Sequence, residues 1–257
     1  FKVLKEKSTI KDRFNLGSVK EEPVAVAGGE ASDSVWLNRD VAAEIAKTNI
    51  ETGNLDVEAI NTNKVKTNSA GASFAFSGTA GVGVGATVVS TDIDGTTVAK
   101  VQNTDATLSG DLTINADHRS DLLATNNFVA LAGGTGAGTL GAAVTVINDS
   151  SATVAELDHS NIQHSNTDAS DAIIAYNKTK QLGEIAQLGL AIGIGGVVGA
   201  NINVDSIDNE VHAKVSNSTI GSESKRANDV TIEATNDMQV DFYSVEVEGS
   251  SIVGGAV

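Results

Sequence analysis

The sequence predicts an all-β chain wound as a right-handed parallel β-helix. Three observations predict it: a repeat near 57 residues, strand-period alternation within that repeat, and a core vocabulary of small and β-branched side chains. The 257 residues include 26 Gly, 1 Pro, no Cys, 1 Trp and 6 Phe. Ala, Val, Ile and Leu therefore carry most of the apolar content, and they suit pleated surfaces and narrow interiors.

The repeat rests on three landmarks. The first, T/V-x-A-x-apolar, occurs as Val41 to Ile45, Thr97 to Val101, Thr153 to Leu157 and Val211 to Val215, its central Ala at 43, 99, 155 and 213. The second, apolar-x-Ala-x-Asn, occurs around Ala59, Ala116, Ala175 and Ala234, with His118 replacing Asn in one copy. The third is a Gly-rich strand, Val84 to Val88, Leu140 to Val144 and Val198 to Ile202. Each landmark alternates at i, i+2 and i+4, the period of a strand, and no sustained 3.6-residue pattern competes.

A repeat of this length divides into three stretches of about 19 residues, each enough for three short strands and their turns. Three coils per repeat are therefore expected, stacked about 4.8 Å apart. Ala and Val/Ile ladders would fill the lumen without polar atoms. Asn would ladder at turns, where its side chain can bond the backbone and tolerate left-handed geometry. Asp94, Asp208 and Asn209 would do the same at the turn after the Gly-rich strand. The glycines would relieve crowding at tight corners.

Residues 1–23 fit the repeat poorly and are rich in lysine, so they are read as an irregular N-terminal segment or cap. Residues 24–257 are read as a β-helix of about four degenerate repeats, the last one truncated. A chain that starts at Phe1 and stops in mid-pattern at Val257 is expected to be a piece of a longer protein. Zero Cys is compatible with a long solenoid whose continuous core needs no disulfides.

Lys plus Arg number 17 and Asp plus Glu 33, a formal net charge of −16. Such a surface repels nucleic acid and anionic lipid, so no nucleic-acid partner is expected. One connection varies in length between repeats: Glu51 to Asn54, Thr107 to Asp111, Gln163 to Ser170, and Gly221 to Asp229. Confining the variation to one turn puts the extra residues along one edge, where repeat proteins place binding loops. His164, Asn166, Lys225 and Arg226 are the candidate binding residues there.

Other motifs carry less. Gly136 to Gly141 matches G-x-G-x-x-G, but a dinucleotide site needs a following helix and a strand pattern follows instead. Asp158, His159, His164 and Asp168 lie close in sequence without regular metal-ligand spacing. No G-x-S-x-G elbow is present, and no carboxylate cluster of the kind a polysaccharide-cleaving β-helix needs stands apart from the repeat. No catalytic residue, metal or cofactor is expected. Leu182 to Val204 is long and nearly uncharged, but its glycines align with the other repeats, so stacked strands account for it and membrane insertion is not expected.

The segments Ile194 to Val204, Ile207 to Ala213, Ser218 to Ile220 and Val230 to Ala234 resemble the leukotoxin family of filamentous adhesins, which is filamentous haemagglutinin-like. The resemblance runs from about Val24 to Val257. It implies a β-helix shaft and a secreted or cell-surface location for the parent protein. It also implies export by two-partner secretion through an outer-membrane transporter, and virulence through a host cell-surface receptor. It carries over no functional residue. A passive shaft whose active region lies elsewhere is the competing expectation, and a polysaccharide-degrading β-helix is the third.

Overall fold

The computed structural model describes residues 2–3, 7–8, 13–16, 24–77, 79–165, 168–193, 195–250 and 255–256. Its architecture is a parallel β-helix. Three short strands come first: β1 (Lys2–Val3), β2 (Lys7–Ser8) and β3 (Arg13–Leu16). The first coil is β4 (Val24–Asn38), β5 (Val41–Ala46), β6 (Asn49–Thr52) and β7 (Leu55–Phe76). The second is β8 (Ala80–Gln102), β9 (Asp105–Leu108) and β10 (Leu112–Gly133). The third is β11 (Gly138–Asp158), β12 (Asn161–His164) and β13 (Ser170–Ile192). The fourth is β14 (Val197–Ile207), β15 (Glu210–Ser216), β16 (Thr219–Ile220) and β17 (Asp229–Ser250), and β18 (Gly255–Ala256) pairs with β14.

The repeat is a single coil, which corrects the expected three. His118 pairs with Asn61 below and Asn177 above, and Ala99 pairs with Ala43 and Ala155, so partners in adjacent coils lie one whole repeat apart. Each coil adds to each of three stacked parallel sheets, with one strand except in the first wall of the first and fourth coils, where it adds two. The first wall holds β4/β5, β8, β11 and β14/β15; a narrow edge sheet holds β6, β9, β12 and β16; the second wall holds β7, β10, β13 and β17. Wall strands of 21 to 23 residues have contours of roughly 70 Å at about 3.3 Å per residue. Around the first coil, β1, β2 and β3 pair antiparallel with β5 and β4, so that edge of the first wall is partly covered.

The turns explain the closure of each coil. Between the first wall and the edge sheet, Lys47, Asn103, His159 and Asn217 all adopt left-handed geometry, φ 45° to 54°. Their amides stack on the next coil, Lys47 donating to Gln102 O and Asn103 to Asp158 O. At the opposite end, Gly134 and Gly193 turn the chain from the second wall into the first with φ of 144° and 140°. A bend also divides the first wall. Gly95 (φ 145°) packs so closely on Arg39 that a Cβ would sit 2.2 Å from its carbonyl oxygen. Asp40 accepts from Thr96 there, and Asn209 from Ser151.

This bend separates two regions. At the base, the lower first wall, the edge sheet and the start of the second wall enclose a triangular core of Val101, Leu108, Leu112, Ile114, Leu157 and Ile173. At the tip, the two walls lie directly against one another.

The lumen is not free of polar atoms, a second correction. Asn61, His118 and Asn177 form one ladder inside the second wall rather than at a turn, each fully buried. Asn61 Nδ2 can only donate to His118 Nδ1 (3.3 Å), so Nε2 carries the proton it gives Ser120 Oγ (2.9 Å). Above this ladder Asp149 accepts from Ser151 and Thr179. Hydrogen bonding lets these groups be buried, and they split the interior into apolar compartments.

The Gly-rich landmark also needs a correction. Gly85 and Gly141 do not sit at corners. They point inward in mid-strand, where a Cβ would meet the Phe128 ring at 2.4 Å and 2.7 Å. The column of glycines makes room for the largest fully buried side chain of the core.

Candidate functional site

The edge where loop length varies begins at the edge sheet. Its strands are four residues long or shorter, so their outward residues form a narrow strip. Asn49, Glu51, Asp105, Thr107, Asn161 and Gln163 line a shallow polar groove of 410 Å³ there. A second depression of 230 Å³ adjoins it, floored by Thr52, Ser109 and Ser165. This surface offers amides, hydroxyls and carboxylates without an aromatic platform, a set that fits hydrogen bonding to polyhydroxyl or peptide groups.

The connections from the edge sheet to the second wall form one side of the groove. They are residues 53–54, 109–111, 165–169 and 221–228 in successive coils. The walls meanwhile pair residue for residue, from Leu112↔Leu55 to Gly133↔Phe76 and from Leu112↔Asp171 to Gly133↔Ile192. The extra residues therefore leave every ladder of the second wall in place.

Lys225 and Arg226 are exposed in the longest of these loops. Ser222 and Lys225 exchange backbone hydrogen bonds that close the loop into a tight turn, with Gly221 at φ 75°. Asn166 lies outside the described residues.

His164 is corrected: it is 1% exposed and cannot meet a partner at the surface. It is the last residue of β12 and pairs with Leu108, an inward apolar position. Its Nε2 lies 2.9 Å from Asp171 Oδ2 and its Nδ1 3.1 Å from Gly110 O. The carbonyl can only accept, so His164 donates to it from Nδ1. Asp171 Oδ1 accepts from the Leu112 amide, and the His164 amide donates to Lys225 O. His164 is thus a buried staple that holds the loops of three coils in place. The alternation Ile162, His164 already carried that signal, because strand period puts the two on one face.

The other sequence candidates separate. Asp158 and His159 pair on the outside of the left-handed turn (2.8 Å), and that hydrogen bond holds the Asp158 carboxyl below its ordinary value. Among the described residues no three His, Cys, Asp or Glu side chains converge as metal ligands. Gly136 to Gly141 lies in the tip turn and the start of β11, so strand and not helix follows it. Glu246 is pushed above its ordinary value by burial and by neighbouring Glu248, and Asp92 by burial and by Asp94; neither pair lines the edge groove.

Sequence reasoning missed the Asp171 partner and the outward edge-sheet strip, since four-residue strands leave too short a pattern to read. No family model matches the chain, and no curated protein or solved structure matches it.

Proposed function

We propose that the chain is a host-cell-binding segment of a large secreted or surface-displayed bacterial adhesin of the leukotoxin type, contacting a cell-surface protein or glycan through the loop edge. The observation that carries this reading is the growth of the edge loops from two residues to eight while both walls keep register. Insertions confined to one face of a solenoid build a contact surface at little cost to the scaffold. Lys225 and Arg226 are exposed on that edge beside Glu223 and Asp229, so the loop offers charges of both signs on a chain of net charge −16. Export of the parent through an outer-membrane two-partner transporter belongs to the same proposal, which rests on the resemblance of the repeat.

Saturable binding of the labelled chain to leukocytes and epithelial cells tests it. Binding should be saturable on at least one cell type and fall with Lys225→Ala plus Arg226→Ala. Absence of saturable binding overturns it. The unbroken register favours a second reading, a passive shaft. In that case replacing 221–228 by the two-residue connection of the first coil leaves the activity of the whole protein unchanged.

A further inference from the structure

The tip inverts the usual disposition of side chains. On the outer face of the first wall stand Val84, Leu140, Val198 and Ile202, and on the outer face of the second wall Phe74, Phe76 and Ile192, all exposed. Leu140 is 52% exposed and Ile192 70%. The inner positions between them are small or polar, such as Gly141, Thr145, Thr87, Asn126 and Gln187. Residues 67–91 and 124–148 contain no charged side chain, and 183–204 contains only Glu184 and no other charge. Glu30 borders the apolar face in the first coil. A groove of 550 Å³ crosses the first wall here, with the large aliphatics standing beside the glycine column.

From the tip inference, independent of the loop-edge reading, we propose that this end of the β-helix inserts into the hydrocarbon of a lipid bilayer, leaving the charged base in water. Three features select lipid over a protein partner. First, both outer walls are apolar at once, and a partner docked on one leaves the other wet. Second, the first-wall apolar stretch Leu140 to Val146 has a contour of about 23 Å, so the three strands β8, β11 and β14 present roughly 330 Å² on that wall, β4 setting Gly28, Glu30, Ser32 and Ser34 at the matching positions. That is well under the ~800 Å² per partner of a stable dimer. Third, the band from the end of β7 to β14 carries only Glu184 and so suits a medium that accepts little charge, with Glu30 on β4 and Glu246 and Glu248 on β17 bounding it at the two ends of the stack; its apolar stretch of about 23 Å enters but does not cross a hydrocarbon layer of about 30 Å. Backbone groups of the inner coils are already paired on both sides, as hydrocarbon requires. No helix among the described residues is long and apolar enough to cross a membrane, so the apolar surface belongs to strands alone. The proposal departs from the expectation that the Gly-rich segments only stack: they stack, and their aliphatics face out.

The chain has no Cys, so single labels are clean. Leu140→Cys, Ile192→Cys and Thr62→Cys, each carrying the polarity-sensitive NBD fluorophore, would be mixed with phosphatidylcholine vesicles, with circular dichroism as the folding control. A several-fold emission rise with a blue shift is expected at 140 and at 192, and none at 62 on the charged base. The folded chain should float with the vesicles, and Leu140→Asp plus Ile192→Asp should abolish flotation. No change at either tip label, a change on one wall only, flotation undiminished by the two aspartates, or a vesicle-independent change that grows with protein concentration would each overturn the proposal. The last outcome assigns the tip to a second copy.

Discussion

At the base of each coil, aliphatic side chains face in and charges face out; at the tip, small and polar residues face in and aliphatics face out. The ion pairs among the described residues lie at the base or beside the bend, including the cross-coil ladder Lys100–Glu156–Lys214 at 2.8 and 2.9 Å at the base and the pair Lys178–Asp237 at 2.7 Å beside the bend; none reaches the tip turns. The Glu156 carboxyl is held below its ordinary value by Lys100 and then Lys214. The same parallel ladders run through both regions. What differs is the spacing of the layers: three sheets around a lumen need Leu and Ile to fill it, while the two walls in direct contact still bury Val89, Ile93, Leu122 and Ile147 just above the bend and, nearer the tip, take mostly Gly, Ala, Ser and Thr around Phe128. Alternation then sends the larger aliphatics outward. Sheet geometry fixes which residues alternate, and the volume between the sheets decides which set is inside.

Phe128 is the sharpest probe of that contrast, because its ring is 1% exposed between the tip walls. Phe128→Ala should cost about 3–5 kcal/mol in urea denaturation. Gly141→Ala should cost about 1–3 kcal/mol by overpacking, and this cost should fall in the Phe128→Ala background to the part owed to Gln187 Nε2, which the added Cβ also meets. Equal costs in both backgrounds would break the account of the glycine column.

The base equivalent is the buried pair. Asp171→Ala leaves His164 without its carboxylate and should destabilise by about 3–5 kcal/mol. It should also raise hydrogen exchange in 221–228, whose turn hangs from the His164 amide. A tip label should report no change.

Between the two regions lies His118. Burial, the largest influence, lowers its pKa from the ordinary 6.5; Asp149 and Asp117 oppose this and Arg39 adds to it. The unfolded chain therefore takes up the proton first as pH falls below 6.5. The contribution of His118 to stability is complete above that pH and is lost on acidification, with a slope of at most ~1.4 kcal/mol per pH unit. His118→Asn, the residue found at Asn61 and Asn177, should flatten this part of the profile between pH 7 and pH 5. Identical profiles for parent and variant would remove His118 from the account.

The smallest effect belongs to the left-handed turn. Asn103 and Asn217 occupy it at low cost, whereas Lys47 and His159 bear the Cβ penalty. Lys47→Asn should raise stability by a few tenths of a kcal/mol up to about 1 kcal/mol, read as a shift in the urea midpoint.

Much of this was legible in the sequence. The period, the strand alternation and the variable connection are visible in the spacing of Ala43, Ala99, Ala155 and Ala213. The number of coils per repeat was not, because a strand as long as Leu112–Gly133 contains no Pro and no turn signal to mark its length. The phase of alternation was also hidden. Leu140 and Gly141 look like an ordinary core and spacer, and only Phe128, brought opposite from a different strand, reverses their roles. His164 is buried for a related reason: the variable connection starts at Gln163 by length alone, but His164 still closes β12, where strand alternation points it inward.

The edge connections have one more consequence. Because the ladders on either side of 165–169 and 221–228 stay in register whatever the loop contains, each coil has a slot whose length and chemistry can change independently of its neighbours. A gene encoding such an array can diversify its outer contour one coil at a time. A foreign peptide grafted at 221–228 would be carried on the same frame.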